Sequence, residues 1–517
     1  MTDIKLPSID YAALAPILIL FGIACLGVLV EAFVPRRLRH PVQFTLGLVG
    51  LVAALAMIVV VDRTGSTTAG VAIAVDGPAR FLQGAILVLA AVALLLIGER
   101  TLERGGAFVA QASIPAGSEV DRRQQAERDG LTELYPLTMF AVAGMLVFVA
   151  ANDLLTMFIA LEVFSLPLYL LAALARRRRL ISQEAALKYF LLGAYSSAFF
   201  LFGVALVYGF AKAVDFAAIH SAVTDSSMSR MLLVAGFAMI AIGLLFKVAA
   251  VPFHMWTPDV YQGAPTPVTA FMAACTKVAA FGALLRVLYV AFAGIEWEFT
   301  PVLGAVAVLT MLVGAVLAVT QTDIKRLLAY SSVANAGYLL VGVLAVSKDG
   351  LSGTMFYLVA YGFSVLAAFA VVTLVRDGDG EATHLSRWAG LGRRSPLFAG
   401  IFTVILLAFA GIPLTSGFTS KFAVFGAAFE SGQTWLVIAG VVTSMIIAFP
   451  YLRVVVLMWL SEPGESTPAV SIPGTMTAAA LGIGVLATVL LGVAPDTLLN
   501  LTDSASEFVR AAGSAAP

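Results

Sequence analysis

The stretch IAIGLLFKVAAVPFHMWTPDVYQGAPTPV, residues 240–268, runs as a lipid-soluble helix, carries a lysine inside it, and then breaks into prolines, a histidine and an aspartate. Lys247 ends the unbroken apolar run MLLVAGFAMIAIGLLF and stands five positions before Pro252. Proline removes a backbone donor and frees carbonyls of the preceding turn, so polar side chains and water gather at such a break only where lipid is kept away. A helix of this kind belongs inside a bundle of membrane spans.

Composition agrees. Of 517 residues 60% are hydrophobic and 12% charged, too little polar surface to cover soluble domains of that size. Apolar runs of roughly 20 residues, long enough to cross about 30 Å of hydrocarbon, recur along the chain. The expected spans are 10–32, 42–62, 79–98, 132–150, 152–175, 184–210, 230–250 with a broken continuation to about 263, 266–292, 301–320, 324–346, 352–375, 397–431 interrupted near Pro413, 434–460 and 474–495. These make an all-α polytopic membrane protein of about fourteen helices. The runs are solid rather than alternating, which excludes a barrel. The first span lacks a basic leader and a small-residue cleavage pattern, so it is expected to remain as a helix.

Eighteen arginines and lysines crowd the connections after odd-numbered spans, in VPRRLRH, GERTLERG with DRRQQAERDG, ARRRRL, DIKR and RDGDGEATHLSRWAGLGRRSP, while the even-numbered connections carry few. The positive-inside rule makes the basic loops cytoplasmic and sets both termini outside. The formal net charge is zero and the basic residues are spread over separate loops, which argues against nucleic acid as a partner. Cys25 and Cys275 each stand alone in a span, so no disulfide framework, zinc site or cysteine-held iron–sulfur cluster can be built from them. No glycine-rich phosphate loop occurs either.

The middle of the chain repeats. NDLLTMFIALEVFSLPLYLL at 152–171 is echoed by TDIKRLLAYSSVANAGYLL at 322–340, and KYFLLGAYSSAFFLFG at 188–203 by MFYLVAYGFSVLAAFA at 355–370. Each copy is followed by a proline within a span, Pro252 in the first and Pro413 in the second. Five spans separate equivalent positions, an odd number, so the copies lie upside down relative to each other. That is the inverted-repeat plan of secondary transporters, with the ion site beside the broken helices. The expected organisation is an N-terminal three-helix segment and loop at 1–131, a first five-helix repeat at 132–292, a second at 301–460, and a C-terminal helix and tail at 461–517.

Arginine supplies 23 of the 31 basic residues and sits mostly in loops, whereas Lys247, Lys277 and Lys421 fall inside spans. Arginine holds its charge at any accessible pH; a lysine taken out of water can release and regain a proton. Glu162 is the only carboxylate within its span and nearly central in it. An isolated ion at that depth costs about 2.5–3.5 kcal/mol, so it needs a partner, and Lys247 is expected to be that partner. A carboxylate drawn close favours the ammonium form and its withdrawal favours the free amine, so a change in separation would make Lys247 take up and release a proton. The bland alternative for any one of these residues is a salt bridge that fixes packing. Glu184 and Lys188 have the i,i+4 spacing of an interfacial pair. Arg286 and Arg453 are expected to set field or packing. His254, beside the Pro252 break, is either a proton relay or a cap on exposed carbonyls. Asp323, Lys325 and Arg326 open a span and read as anchors.

The stretches FKVAAVPFHMWTPDVYQGAPTPVTAFMAACTKVAAF, TDIKRLLAYSSVANAGY and GIPLTSGFTSKF together resemble the antiporter-like subunits of the proton-pumping NADH:quinone oxidoreductase, respiratory complex I, from about residue 10 to 495. The Tyr-Gln-Gly form in WTPDVYQGAPTPV is the one typical of the subunit N family. The resemblance implies that Glu162 pairs with Lys247, that Lys277 continues a hydrated mid-membrane axis, that Lys421 connects it to the far side or the next subunit, and that Lys188 takes part. It implies a translocase subunit of the bacterial plasma membrane with no cofactor of its own, working beside the other antiporter-like and small membrane subunits, while a peripheral arm holds FMN and iron–sulfur clusters and quinone is reduced elsewhere. A redox-free multisubunit cation/proton antiporter of the same superfamily is the alternative. The loop over residues 100–130 is longer than the family leads one to expect and has no role in this reading.

Overall fold

The computed structural model describes residues 9–61, 65–103, 105–126, 130–224, 230–377, 380–463 and 469–509. Among them, twelve helices are long and apolar enough to cross a membrane, and two shorter apolar ones bring the number to the fourteen expected. In chain order these are α1 (Tyr11–Phe33), α2 (Arg36–Val60), α3 (Gly77–Gly98), α4 (Leu134–Ala150), α5 (Leu154–Ala172) and α6 (Arg179–Ala211). The first broken span follows as α7 (Met231–Val248) and α8 (Trp256–Gly263), then α9 (Thr266–Ala291), α10 (Glu296–Val319), α11 (Ile324–Leu344) and α12 (Lys348–Leu374). The second broken span is α13 (Pro396–Ala410) with α14 (Ser416–Glu430), and α15 (Thr434–Leu460) and α16 (Thr475–Val493) complete the bundle.

Short polar residues start these helices by accepting from backbone donors that have no partner inside the helix. Asp153 accepts from Thr156 N at 2.7 Å to open α5, and Asp323 accepts from Lys325 N at 2.9 Å to open α11. The two caps correspond in the repeat. Each also makes an isolated β-bridge to the connection after the next span but one in its own copy, Asp153 with Asp215 and Asp323 with His384, so the sequence repeat is a repeat of local structure.

The odd connections gather on one face. There Glu103 pairs with Arg177 at 3.1 Å and with Arg376, Arg178 donates to Thr383 Oγ1 at 3.0 Å, and Lys325 donates to Ala264 O at 3.0 Å. The even connections meet on the other, where Asn152 N donates to Ala72 O at 2.8 Å and Arg230 pairs with Glu298. Asp10 and Val509, near the two ends of the described chain, bond on this second face, to Thr68 Oγ1 at 2.8 Å and Asp76 Oδ2 at 3.1 Å. The basic loops therefore share one face and both ends lie on the opposite one.

α9, α11 and α12 form the centre and are almost entirely buried, whereas α1, α2, α15 and α16 bury only one side. Without a hydrophobic drive between helices in lipid, close approach depends on small residues. A Cβ on Gly203 of α6 would stand 2.7 Å from Gly236 O of α7, so only glycine permits that contact. The loop over 99–126 packs as a clamp rather than a free insertion. Asp121 meets Arg179 at 2.7 Å with both side chains buried, and Arg176 donates to Phe108 O at 3.1 Å. Arginines of ARRRRL thus hold the loop down.

Candidate functional site

The chain breaks where the sequence expects it to. α7 ends with Ala249 in the left-handed region at φ 65°, and the Phe246 carbonyl accepts both from Ala249 N at 3.1 Å and from Trp256 Nε1 at 3.0 Å. α13 ends at Gly411, φ 83°, and here the freed carbonyls of Phe409 and Ala410 accept from Lys421 Nζ at 3.2 and 3.0 Å. The lysines therefore differ: Lys247 lies before its break, in the last turn of the first half-helix, while Lys421 lies after its break, in the second.

Each of the three lysines is buried and donates to one serine hydroxyl. Lys247 Nζ reaches Ser165 Oγ of α5 at 2.7 Å, Lys277 Nζ reaches Ser332 Oγ of α11 at 2.7 Å and its carbonyl at 2.5 Å, and Lys421 Nζ reaches Ser444 Oγ of α15 at 2.6 Å. Each also faces aromatic rings, which attract a cation through their negative faces. Lys247 lies 5.2–5.8 Å from the rings of Phe164, Tyr169, Tyr189 and Phe246. Lys277 lies 5.1 Å from Tyr361, and Lys421 lies 4.8 Å from Tyr338.

Glu162 does not form the direct pair expected of it. Lys247 goes to Ser165, one turn further along α5, and Ser165 Oγ itself donates back to Leu161 O. Glu162 lies close enough for its charge to act on Lys247, yet its Oε1 is buried with no hydrogen-bond partner among the described residues. The physical reason is position: Glu162 sits at the rim of the outward stripe Leu155, Ile159, Leu166 and Leu170, whereas Ser165 faces inward.

Contacts run from one lysine to the next. Tyr189 stacks on Trp256 at 4.7 Å, Trp256 meets Tyr261 at 6.4 Å, and the Tyr261 hydroxyl lies beside Ser332, the partner of Lys277. Tyr361 above Lys277 packs at 5.8 Å against Phe409, whose carbonyl Lys421 holds. Between them α11 contributes Ser331, bonded to the Tyr451 hydroxyl at 2.5 Å, and Asn335, which accepts from Tyr357 at 2.5 Å. A π-helical turn over Met272–Thr276 precedes Lys277 directly, a distortion often found at functional positions.

Two expected residues stand differently. His254 is buried at the first break, its ring 6.5 Å from Tyr330 and its Nδ1 without a partner among the described residues. Lys188 lies off this line: it joins Glu184 and Asp259, each at 2.8 Å, with its side chain part-exposed. The Tyr and Ser residues of LLGAYSSAFF and LLAYSSVANAGY, which the sequence offers either as water-holding groups or as packing residues, stand apart: Ser331, Ser332 and Tyr338 of the second are buried, but Tyr195 of the first points outward. Charge reading missed Ser165 and Ser444, because a serine in an apolar span looks like a packing residue, whereas Ser332 lies in the stretch LLAYSSVANAGY, whose hydroxyls read either as water-holding groups between the charges or as packing residues. Arg286 is the residue expected to set field or packing. That side chain is fully buried and grips Asp76 bidentately at 2.9 and 2.6 Å.

A polytopic bundle with two inverted broken helices and buried lysines beside and between the breaks defines an antiporter-like, ion-translocating membrane subunit. The family model described as NADH:quinone oxidoreductase/Mrp antiporter matches residues 151–447. The NADH-quinone oxidoreductase subunit N of Salinispora arenicola is 76% identical over 517 residues, covering 99% of this chain and 100% of that protein. Its counterpart from Rhodococcus opacus is 57% identical, covering 98% and 97%. Among solved structures, a chain of respiratory complex I from Thermus thermophilus with bound aureothin matches with a TM-score of 0.76 at 32% identity, covering 95% of this chain and 100% of that one. A chain of the Mrp complex from Dietzia matches with a TM-score of 0.77 at 23% identity over 96% and 97%, a likeness of fold alone. This chain belongs to the subunit N family of NADH-quinone oxidoreductases.

Proposed function

We propose that this chain is a membrane-arm subunit of a proton-translocating NADH:quinone oxidoreductase and that it moves protons through Lys247, Lys277 and Lys421, with Glu162 governing Lys247. The observation that carries the reading is that Lys247, Lys277 and Lys421, three of the four buried lysines among the described residues, are each partnered by a serine hydroxyl and none of the three by a carboxylate at bonding distance. A hydroxyl accepts from an ammonium and donates to a free amine with equal ease, so it suits both protonation states. A carboxylate at contact would hold the ammonium form, and an arginine would never release. Partner-less buried polar atoms, among them Glu162 Oε1, His254 Nδ1 and Thr257 Oγ1, add support, since groups of this kind are met by ordered water.

The face carrying the basic loops is the cytoplasmic one in this reading, and the membrane is the bacterial plasma membrane. Flavin mononucleotide, iron–sulfur clusters and quinone belong to partner subunits. Other membrane-arm subunits cover the apolar stripe beside Glu162, which would be a costly place for a carboxylate in contact with lipid. The Mrp-like fold keeps a second reading, redox-free cation/proton antiport, in view. Purifying the assembly through a tag on this chain separates the two: NADH:quinone oxidoreduction that acidifies sealed vesicles is expected, and sodium/proton exchange without NADH oxidation would overturn the assignment.

A further inference from the structure

Lys325 behaves unlike an anchor. A lysine that opens a membrane helix normally extends its amine outward to water. Lys325 instead turns inward, its side chain 4% exposed, while the adjacent Arg326 takes the outward role and pairs with Asp259 at 2.8 Å. Lys325 Nζ donates to Thr266 Oγ1 and to Ala264 O, both at 3.0 Å. Thr266 Oγ1 in turn donates to Glu381 Oε2 at 2.5 Å. Lys325 and Glu381 themselves stand 4.0 Å apart, and Glu381 is the more exposed of the two, at 21%. The three residues close a cleft of ≈ 70 Å3 on the basic face whose walls include Glu103, Arg178 and Arg376, so it opens between the two repeats.

The helices then lead inward. Lys325 and Ser332 are seven residues apart on α11, hence on one face and about 10 Å apart along the axis. Thr266 and Lys277 are eleven apart on α9, and both face α11, where they meet Lys325 and Ser332. The same two helices are thus bridged twice, by Lys325 to Thr266 near the surface and by Lys277 to Ser332 in the interior. Between the bridges lie Thr269, which donates to Tyr261 O at 3.2 Å, and the Tyr261 hydroxyl beside Ser332.

We propose that Glu381, Thr266 and Lys325 form the site at which this chain loads protons from the aqueous phase on its basic face, a proposal that rests on the translocation reading above. The Glu381 carboxylate takes a proton from water in the cleft. It donates that proton to Thr266 Oγ1 as the threonine hydroxyl passes its own to the free amine of Lys325, leaving carboxylate, hydroxyl and ammonium. The hydrogen bonds in the structure, ammonium to hydroxyl to carboxylate, are those of the loaded state. Lys325 later discharges toward Ser332 and Lys277 and is reset.

The test uses the whole oxidoreductase in inverted vesicles, reading protons taken up per NADH oxidised together with assembly on a native gel. Lys325→Arg keeps the cation and its donors but cannot release a proton; Thr266→Val keeps the shape but removes the hydroxyl; Thr266→Ser restores it. The proposal expects a lowered ratio for Lys325→Arg, Thr266→Val and Glu381→Gln, and recovery in Thr266→Ser. An anchor or packing role would spare Lys325→Arg and Thr266→Val, and an unchanged ratio in both overturns the loading site. Should Thr266→Val fail to assemble, Lys325→Arg and Glu381→Gln decide in the same way. If these variants pump normally while Lys277→Met lowers the ratio, only the loading site falls; if Lys277→Met also pumps normally, the translocation reading falls with it.

Discussion

Ser165 changes what Lys247 and Glu162 can be to each other. With the hydroxyl as the bonded partner, the proposed influence of the carboxylate on the ammonium runs through space and needs no bond to be made or broken. Removing the hydroxyl strands one buried donor, a loss of about 1–3 kcal/mol. Ser165→Ala is therefore expected to lower the protons moved per NADH oxidised, with Ser165→Thr close to wild type; equal pumping by both variants and the parent would count against the serine. Charge in an apolar run is conspicuous, so the sequence singled out Lys247, Lys277 and Lys421, which are buried, and Glu162, which is half-buried. It could not show which serine each lysine meets, since which hydroxyl a long flexible amine reaches is decided by rotamer and helix rotation.

At the level of elements, the prolines foretold both breaks, and spacing could do no more. Which carbonyls are freed, and what meets them, depends on the angle between half-helices: an indole at the first break, an ammonium at the second. The second break also depends on Gly417, where a Cβ would fall 1.8 Å from Ala408 O. Backbone cannot yield to that extent without opening the break, and overpacking of this kind costs about 1–3 kcal/mol. Gly417→Ala is expected to detach Lys421 from the end of α13 and to depress pumping. Gly426→Ala, on the same helix with nothing within 4 Å, is expected to leave pumping intact, so equal effects in the two variants would refute the explanation.

Across the whole molecule, long-range ion pairs decide how the segments hold together, and these were the least legible features. Asp76 and Arg286 are 210 residues apart, and no periodicity connects them. Their pair joins the N-terminal helices to α9, is met by Val509 N at 3.1 Å, and stacks on the Phe508 ring at 5.0 Å. Breaking a buried pair by removing one partner costs about 3–5 kcal/mol, because the other charge is left stranded. Asp76→Asn is expected to lower the thermal unfolding temperature of the purified assembly, and the double variant with Arg286→Met to recover part of the loss; full additivity of the two single effects would contradict the pairing. The long loop after α3 belongs to the same scale. Its carboxylates Glu103 and Asp121 tie it to Arg177, Arg376 and Arg179, and Glu99 at its start accepts from Thr477 Oγ1 at 3.1 Å, so it fastens the repeats and α16 together on the basic face.

Proton release by Lys247 is the claim on which the mechanism turns. NADH-driven acidification of inverted vesicles tests it most directly when Lys247 is replaced by Arg, which keeps the positive charge and the donors but cannot give up a proton. Electron transfer with impaired acidification is the expected result, and acidification equal to wild type would contradict the account.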